Sequence, residues 1–364
     1  MSRAKRIVIM AGGTGGHIYP ALACAEEFKK QHYEILWLGS KKSMEETLVP
    51  SYQLPLETIS IQGVRGKGIK GLLLAPLRIL HAVWQAVGIL RRFNPDVVLG
   101  MGGFVTGPGG IAAKLLGIPL VIHEQNAIAG TTNKLLAKVA NTSLQAFNNV
   151  LPAGKTVGNP VRASILQYQK QLSKRQHGEP LKLLIVGGSL GAQYINQLIP
   201  VFLDNWNEET VLDVWHQTGK KNIDEVLTAY KELNVTARVD AYIDDMNQAY
   251  EWADLVICRA GAMTVSELAI VGLPSILVPF PYAIDDHQTH NAMHLVNVGA
   301  AKIQQQTELT EASLAKIITH LLENDKTLMK MGAAAKEVAY PLATNTVVDE
   351  CERLINNERD ESAI

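Results

Sequence analysis

The sequence predicts an α/β protein of two doubly wound domains, each a parallel sheet covered by helices. Three observations carry this. A strand-length apolar run followed by a glycine loop and a helical segment occurs twice, as Arg6–Met10 with Gly12-Gly13-Thr14-Gly15-Gly16-His17 and as Leu183–Val186 with Gly187-Gly188-Ser189-Leu190-Gly191. Further apolar runs alternate with helix-length segments through both halves, as strands buried on both faces require. The chain has 364 residues, more than one core of typical size fills.

In the first half, strands are expected at Arg6–Met10, Ile35–Leu38, Asp96–Leu99, Leu120–His123 and Ser143–Ala146. The first runs straight into its glycine loop, where close backbone approach and a helix N-terminus suit a phosphate or similar polar group. The loop does not match Gly-x-Gly-x-x-Gly, and the second strand ends Leu38-Gly39-Ser40 without the acid that would hold an adenosine ribose. Both points argue against a dinucleotide. The third strand opens into a second glycine cluster, Gly100 to Gly110, and the fourth into Glu124-Gln125-Asn126. Gly154-Lys155-Thr156 has the tail of a phosphate loop without its upstream glycine and reads as a surface loop. Val157-Gly158-Asn159-Pro160-Val161-Arg162 is the expected hinge.

In the second half, strands are expected at Leu183–Val186, Leu212–His216, Arg238–Tyr242, Leu255–Cys258, Ser275–Val278 and Ala301–Ile303. A closing helix is expected from the Tyr340-Pro341 break through Leu354. Three glycine-rich loops at strand C-termini point to the crevice where open sheets bind ligands, and two such domains suggest a cleft with a phosphorylated ligand on one side and a second substrate opposite.

Composition narrows the partners. A formal net charge of −1 gives no basic field for nucleic acid. Cys24, Cys258 and Cys351 have neither disulfide nor metal-ligand spacing. The apolar stretch Ile7 to Ala11 is too short for a secretory leader, and no segment reaches membrane-spanning length. One segment departs from the pattern. No acidic residue lies between Glu57 and Asp96, while Arg65, Lys67, Lys70, Arg78, Arg91 and Arg92 surround an apolar set that includes Leu77, Leu80 and Trp84. That set is too wide for one core-facing stripe. It reads either as a helix buried on two sides or as a surface resting on an anionic membrane.

The residues that carry chemistry cluster at strand ends. His17 opens the first helix and Glu124 ends the fourth strand, and each could accept a proton. The loop Arg259-Ala260-Gly261-Ala262-Met263-Thr264-Val265-Ser266-Glu267 could wrap a diphosphate, with Glu267 accepting two ribose hydroxyls. His287, His290 and His294 stand at helical spacing, but a sugar site explains that cluster as well as a metal does. No Asp-x-Asp pair is present, which argues against a metal-held diphosphate.

In order along the chain, Gly12–His17, Gly102–Gly110, His123–Asn126, Gly158–Arg162, Gly187–Ser189, Tyr242–Met246 and Arg259–Glu267 resemble the MurG family of N-acetylglucosaminyltransferases over nearly the whole sequence. The resemblance implies a GT-B fold with an acceptor-binding, membrane-associating domain (1–161), a UDP-GlcNAc-binding domain (162–340) and a final helix (341–364) returning to the first. It implies inverting, metal-independent transfer of GlcNAc from UDP-GlcNAc to the MurNAc 4-hydroxyl of lipid I, without a cofactor, at the cytoplasmic face of the cell membrane, with cell-wall synthesis and division proteins as partners. By the same resemblance Ser189 and Arg162 lie near the diphosphate, Ile243 reads the uracil through its backbone, and Ala262, Met263, Thr264, Val265 and Ser266 cover the diphosphate and ribose with Glu267. Gln288 addresses the sugar, and Thr14, Gly15, Gly16 and Asn126 approach the donor from the first domain. His17 and Glu124 activate the acceptor, His17 as base and Glu124 as its orienter or the reverse, and Lys67, Lys70, Leu77, Leu80 and Trp84 form the membrane patch. Phe104 and Leu190 depart from residues found in some members, Tyr and Gln, so a Tyr hydroxyl at 104 is not needed for chemistry. A UDP-GlcNAc epimerase, another glycolipid glycosyltransferase of this fold, or a nucleotide-sugar sensor would share the architecture. The first-half loops and the acid-free segment favour a lipid acceptor.

Overall fold

The computed structural model describes residues 3–41, 43–61, 75–168, 178–188, 191–324 and 326–361. The chain forms two compact units, Met1–Arg162 with Pro341–Ile364, and Ala163–Tyr340.

The first unit holds β1 (Arg6–Met10), β2 (Glu34–Ser40), β3 (Leu56–Ile59), β4 (Val97–Gly100), β5 (Leu120–Glu124), β6 (Thr142–Gln145) and β7 (Lys155–Thr156). Its parallel sheet has the order β3-β2-β1-β4-β5-β6-β7 among the described residues. The order reverses between β1 and β4, which pair with Ile9 opposite Leu99 and Met10 opposite Gly100. Both glycine loops of this unit leave the sheet at that switch point, the position where such sheets bind ligands. The helices are α1 (Gly15–Lys30), α2 (Glu45–Ser51), α3 (Ala75–Phe93), α4 (Thr106–Leu115), α5 (Thr131–Leu136) and, from the chain's end, α14 (Ala343–Glu361). Val347, Val348, Cys351 and Ile355 line one side of α14 at helical spacing and join Phe28, Trp37 and Leu99 in one core. The other face of the sheet packs Met10, Leu38 and Ile122 against Ala82, Ala86, Ala112 and Leu136 of α3, α4 and α5.

The second unit holds β8 (Leu181–Val186), β9 (Leu212–Gln217), β10 (Arg238–Asp240), β11 (Leu255–Cys258), β12 (Ser275–Leu277) and β13 (Ala301–Ile303). They are parallel in the order β10-β9-β8-β11-β12-β13, with the reversal between β8 and β11. Around them lie α6 (Ala163–Leu166), α7 (Gln193–Asp204), α8 (Ile223–Glu232), α9 (Met246–Trp252), α10 (Ala262–Val271), α11 (His287–Val296), α12 (Glu311–Leu322) and α13 (Thr327–Glu337).

Four sequence expectations change. Leu56–Ile59 is a strand, paired with β2 from Trp37↔Leu56 to Ser40↔Ile59. Lys155–Thr156, expected as loop, adds a two-residue edge to β6. The closing helix runs to Glu361 rather than ending near Leu354. The two-sided burial considered for the acid-free segment does not hold for α3. Ala75, Ala82, Val83, Ala86, Ile89 and Leu90 face the core, but residues 76–81 are all exposed.

Candidate functional site

The first-unit site is built where the loops after β1 and β4 meet. Gly103 has φ +86°, and a Cβ there would lie 2.2 Å from the Gly12 carbonyl oxygen, so the two loops touch backbone to backbone. Gly102 has φ +100°, and a Cβ there would lie 2.7 Å from Nδ1 of His17. The imidazole therefore rests against bare backbone. His17 is the third residue of α1, half-buried, with Thr14 at the N-cap. The Thr14 side chain makes no capping hydrogen bond and is exposed. Gly15 and Gly16 form the first turn, whose N–H groups have no intrahelical acceptor.

The loop is not the simple anion cradle its glycines suggest. The buried Glu45 carboxylate accepts the Gly13 N–H at 3.2 Å, together with the Ser40 N–H at 3.0 Å and the Ser40 hydroxyl at 2.8 Å. The hydrogen bonds from Ser40 and Ser43 hold its pKa below the ordinary carboxylate value despite burial. A negative charge thus already occupies the underside of the loop, and a Cβ at Gly12 would fall 2.4 Å from it.

His17 and Glu124 do not form the expected pair. His17 Nδ1 lies 2.9 Å from Oε1 of Gln125. The Glu124 carboxylate is buried and accepts from Asn126 N at 3.0 Å, Asn126 Nδ2 at 3.4 Å, Gly130 N at 3.1 Å and Asn133 Nδ2 at 2.9 Å. It braces the turn between β5 and α5 and fixes Asn126. The residue that orients His17 is Gln125, itself held by His123 and Asn159. Arg162 closes this unit, its guanidinium 5.5 Å from the Tyr19 ring centre.

The outer face of the same unit is apolar. Leu77 is 65% exposed, Leu80 65% and Trp84 73%, values that remove them from any core. Lys67 and Lys70 lie outside the described residues. Sequence reading missed the continuation of this face. On α4, which packs against both α3 and α5, Ile111 and Leu115 are exposed; so are Leu135 on α5 and Val139 just beyond it. Lys114, Lys134 and Lys138 stand exposed among them.

In the second unit the loop after β8 is cinched by Gln217. Its Oε1 accepts from Gly188 N at 3.1 Å, and its Nε2 donates to the Gly188 and Ala241 carbonyls. Gly191, at φ +77°, leaves no room for a Cβ, which would lie 2.1 Å from the Thr218 carbonyl. Ser189 and Leu190 lie outside the described residues. The Ile243 side chain is buried, and Asp245 beside it caps α9 by accepting from Asn247 N and Gln248 N. At the switch point, Ala262 opens α10, followed by Met263, Thr264, Val265, Ser266 and Glu267. The buried Tyr250 donates to Glu267 Oε2 at 2.9 Å and aims that carboxylate. Asn291, fully buried, donates to the Ala260 carbonyl and holds the loop before α10. Arg259 donates to the Val278 and Pro279 carbonyls and to Gln306. Gln288 accepts from Phe280 N at 2.9 Å, so its amide is fixed against the β12 loop. Of the three histidines near it, His294 turns away to the Val338 carbonyl and His290 to the Asp286 carbonyl. Among the described residues no group of three or more His, Cys, Asp or Glu is placed to hold a metal ion.

Comparison with known proteins assigns this architecture. Residues 7–145 match the glycosyltransferase family 28 N-terminal domain, and residues 182–347 match its C-terminal domain. The fold and these two domains define a glycosyltransferase of the GT-B type. Two relatives, from Cellvibrio japonicus and Aeromonas hydrophila, are named UDP-N-acetylglucosamine–N-acetylmuramyl-(pentapeptide) pyrophosphoryl-undecaprenol N-acetylglucosamine transferase. The first is 50% identical over 95% of this chain and 97% of its own length, the second 51% over 98% of each. The crystal structure of Acinetobacter baumannii MurG aligns with TM-score 0.84 at 42% identity, covering 96% of this chain and 99% of that one. The chain belongs to the MurG family. A Listeria monocytogenes structure described as a putative UDP-N-acetylglucosamine 2-epimerase shares the fold at TM-score 0.63 and 15% identity.

Proposed function

We propose that this chain transfers GlcNAc from UDP-GlcNAc to the MurNAc 4-hydroxyl of lipid I, with inversion and without a metal, while resting on the cytoplasmic face of the membrane. The observation that carries the reading is identity near 50% along the whole chain to relatives bearing that activity in their names. On this reading the second unit takes the donor: the Gly187–Gly191 and Arg259–Glu267 loops address the diphosphate, Glu267 the ribose hydroxyls, Gln288 the sugar and the Ile243 backbone the uracil. Ser189, Arg162, Thr14, Gly15, Gly16 and Asn126 contribute polar contacts to the donor.

In the reaction the bond from the anomeric carbon to the diphosphate breaks with its electron pair leaving on UDP. A bond to the acceptor oxygen forms from the opposite face. Backbone N–H groups and the N-terminus of α10 stabilise the charge on the departing diphosphate. The hydroxyl proton passes to His17. Glu124 keeps Asn126 and the β5–α5 turn in place.

The exposed apolar faces of α3, α4 and α5, with Lys114, Lys134 and Lys138 among them, are supported as the membrane contact by their exposure and by the lack of acids between Glu57 and Asp96. The test is incubation with radiolabelled UDP-GlcNAc and a lipid I analogue. Label should move to the lipid with or without EDTA. No transfer, or loss in EDTA restored by Mg²⁺, would overturn the reading.

A further inference from the structure

The hydrogen-bond chain behind His17 has only one consistent assignment of protons. It begins at a group that cannot donate. The Gly158 carbonyl, presented by a residue at φ +81°, lies 2.8 Å from Nε2 of His123. Nε2 of His123 therefore carries hydrogen. Burial pushes the His123 ring well down, to about 4, so at working pH the ring is neutral and Nδ1 is bare. A bare nitrogen accepts, so the Gln125 atom 3.1 Å away is the amide nitrogen. That fixes the amide, which otherwise could be flipped. The Gln125 Nε2 also donates to the His123 carbonyl at 3.2 Å, a second acceptor consistent with this orientation. Oε1 then faces His17 Nδ1 at 2.9 Å and can only accept. Gln125 is 1% exposed and His123 is 0% exposed. The backbone carbonyls of both residues are also pinned, by Asn159 Nδ2 and Asn133 Nδ2 at 3.1 Å each.

We propose that Gln125 is a positioning residue that fixes the tautomer of His17: the relay Gly158 carbonyl–His123–Gln125 keeps hydrogen on Nδ1 and leaves Nε2 as the bare atom that accepts the hydroxyl proton. The proposal rests on His17 being the base. An unrestrained neutral histidine exchanges its hydrogen between the two nitrogens. A base that must always present the same bare nitrogen needs a one-way acceptor behind it. An amide supplies this without a second charge, and its direction is set by a backbone carbonyl that cannot reverse.

The experiment reads the imidazole nitrogens directly. The chain is labelled with ¹⁵N-histidine, and the His17 signals are assigned by their absence in His17→Asn. In the wild-type protein at alkaline pH, Nδ1 should resonate as a protonated, pyrrole-type nitrogen and Nε2 as a bare, pyridine-type one. The opposite pattern, or a mixture, overturns the proposal without any mutation in the relay. In Gln125→Met, which keeps length and loses the acceptor, hydrogen should move to Nε2 and kcat should fall about 100-fold with KM for UDP-GlcNAc unchanged. Gln125→Glu, whose neutral carboxylic acid donates its O–H to His123 Nδ1 while the other oxygen accepts from His17, should retain hydrogen on Nδ1 and recover much of kcat. A Gln125→Met protein that is folded, active and still protonated at Nδ1 would also refute the relay. The two readings fail separately. Full kcat in His17→Asn with Nδ1 protonated in the wild type removes the base and leaves the tautomer relay. Lost kcat in His17→Asn with Nε2 protonated removes the relay and leaves a role for His17.

Discussion

Replacing Gly102 by alanine tests whether the bare backbone beside His17 matters. Two penalties arise, and they can be separated. The first is conformational: Gly102 sits at φ +100°, where an L side chain costs about 1–3 kcal/mol. The second is steric. The new methyl would lie 2.7 Å from Nδ1 and 2.9 Å from Cε1 of His17, against an ordinary contact of roughly 3.5 Å. The ring must retreat by about 0.8 Å, and it is tethered to Gln125 by a single bond of 2.9 Å. Such a shift stretches that bond past the hydrogen-bonding range. Misplacing a reacting group by about 1 Å can cost on the order of 100-fold in rate. Gly117→Ala supplies the control. Gly117 also has positive φ, +69°, but a Cβ there meets nothing within 4 Å. Both variants should lose stability in urea titration, Gly102→Ala the more because it adds the steric penalty. Only Gly102→Ala should lose about two decades of kcat, with donor affinity intact. Equal kcat in the two variants would refute the contact argument.

Other outcomes follow from the same structure. Replacing Leu77, Leu80 and Trp84 together by Gln should release the protein from anionic vesicles in a sedimentation assay, with activity on a short-chain soluble acceptor kept. Salt should weaken the wild-type association, since a basic residue near such a surface contributes about 1 kcal/mol; a triple variant that stays bound refutes the surface. Glu267→Ala should weaken UDP-GlcNAc binding by about 1.5–3 kcal/mol in calorimetry, the value of a hydrogen bond to a charged group; unchanged affinity removes Glu267 from the donor site. Burial lowers the His123 pKa to about 4 and the His216 pKa to about 3, from an ordinary 6.5. Below pH 6.5 the unfolded chain gains protons that the folded chain refuses, so this contribution is present above pH 6.5 and is lost as the pH falls towards 4 for His123 and towards 3 for His216. The loss is on the order of 3 kcal/mol or more per histidine. Histidine signals of His123 and His216 that titrate near pH 6.5 in the folded protein would contradict it.

How far the structure could be read in advance follows from whether the deciding contacts are local. The strands of continuous apolar residues, such as Ile7–Met10 and Leu255–Cys258, announce themselves because both faces are buried. Leu56–Ile59 does not, since Glu57 and Thr58 interrupt it and only Ile59 is fully buried. Lys155–Thr156 is a strand only because Leu144 and Gln145 offer an edge to pair with. The glycine loops were visible as turns at strand ends, but what lies against them was not. Glu45 under Gly13, His17 over Gly102, and Gln217 across Gly188 are contacts between residues 29 to 85 positions apart, and no spacing rule encodes them. Glu124 and Gln125 show the limit most clearly. They are adjacent and both buried, and the family resemblance pointed to the carboxylate as the partner of His17. Glu124, the last residue of β5, is taken up by the turn that follows, and it is the amide one residue past the strand that reaches His17.

His17 takes the proton and Glu124 braces the β5–α5 turn, and the pH dependence of kcat in His17→Asn and Glu124→Gln tests that division most directly. Glu124→Gln replaces one acceptor oxygen by a donor, set either against Asn126 N or against Gly130 N and Asn133 Nδ2, so it should cost about 1–3 kcal/mol of stability while keeping the acid limb of the profile. His17→Asn should abolish that limb and lower kcat by roughly 10²–10⁴, with donor binding unchanged. An acid limb that persists in His17→Asn and vanishes in Glu124→Gln would contradict the account and make the carboxylate the base.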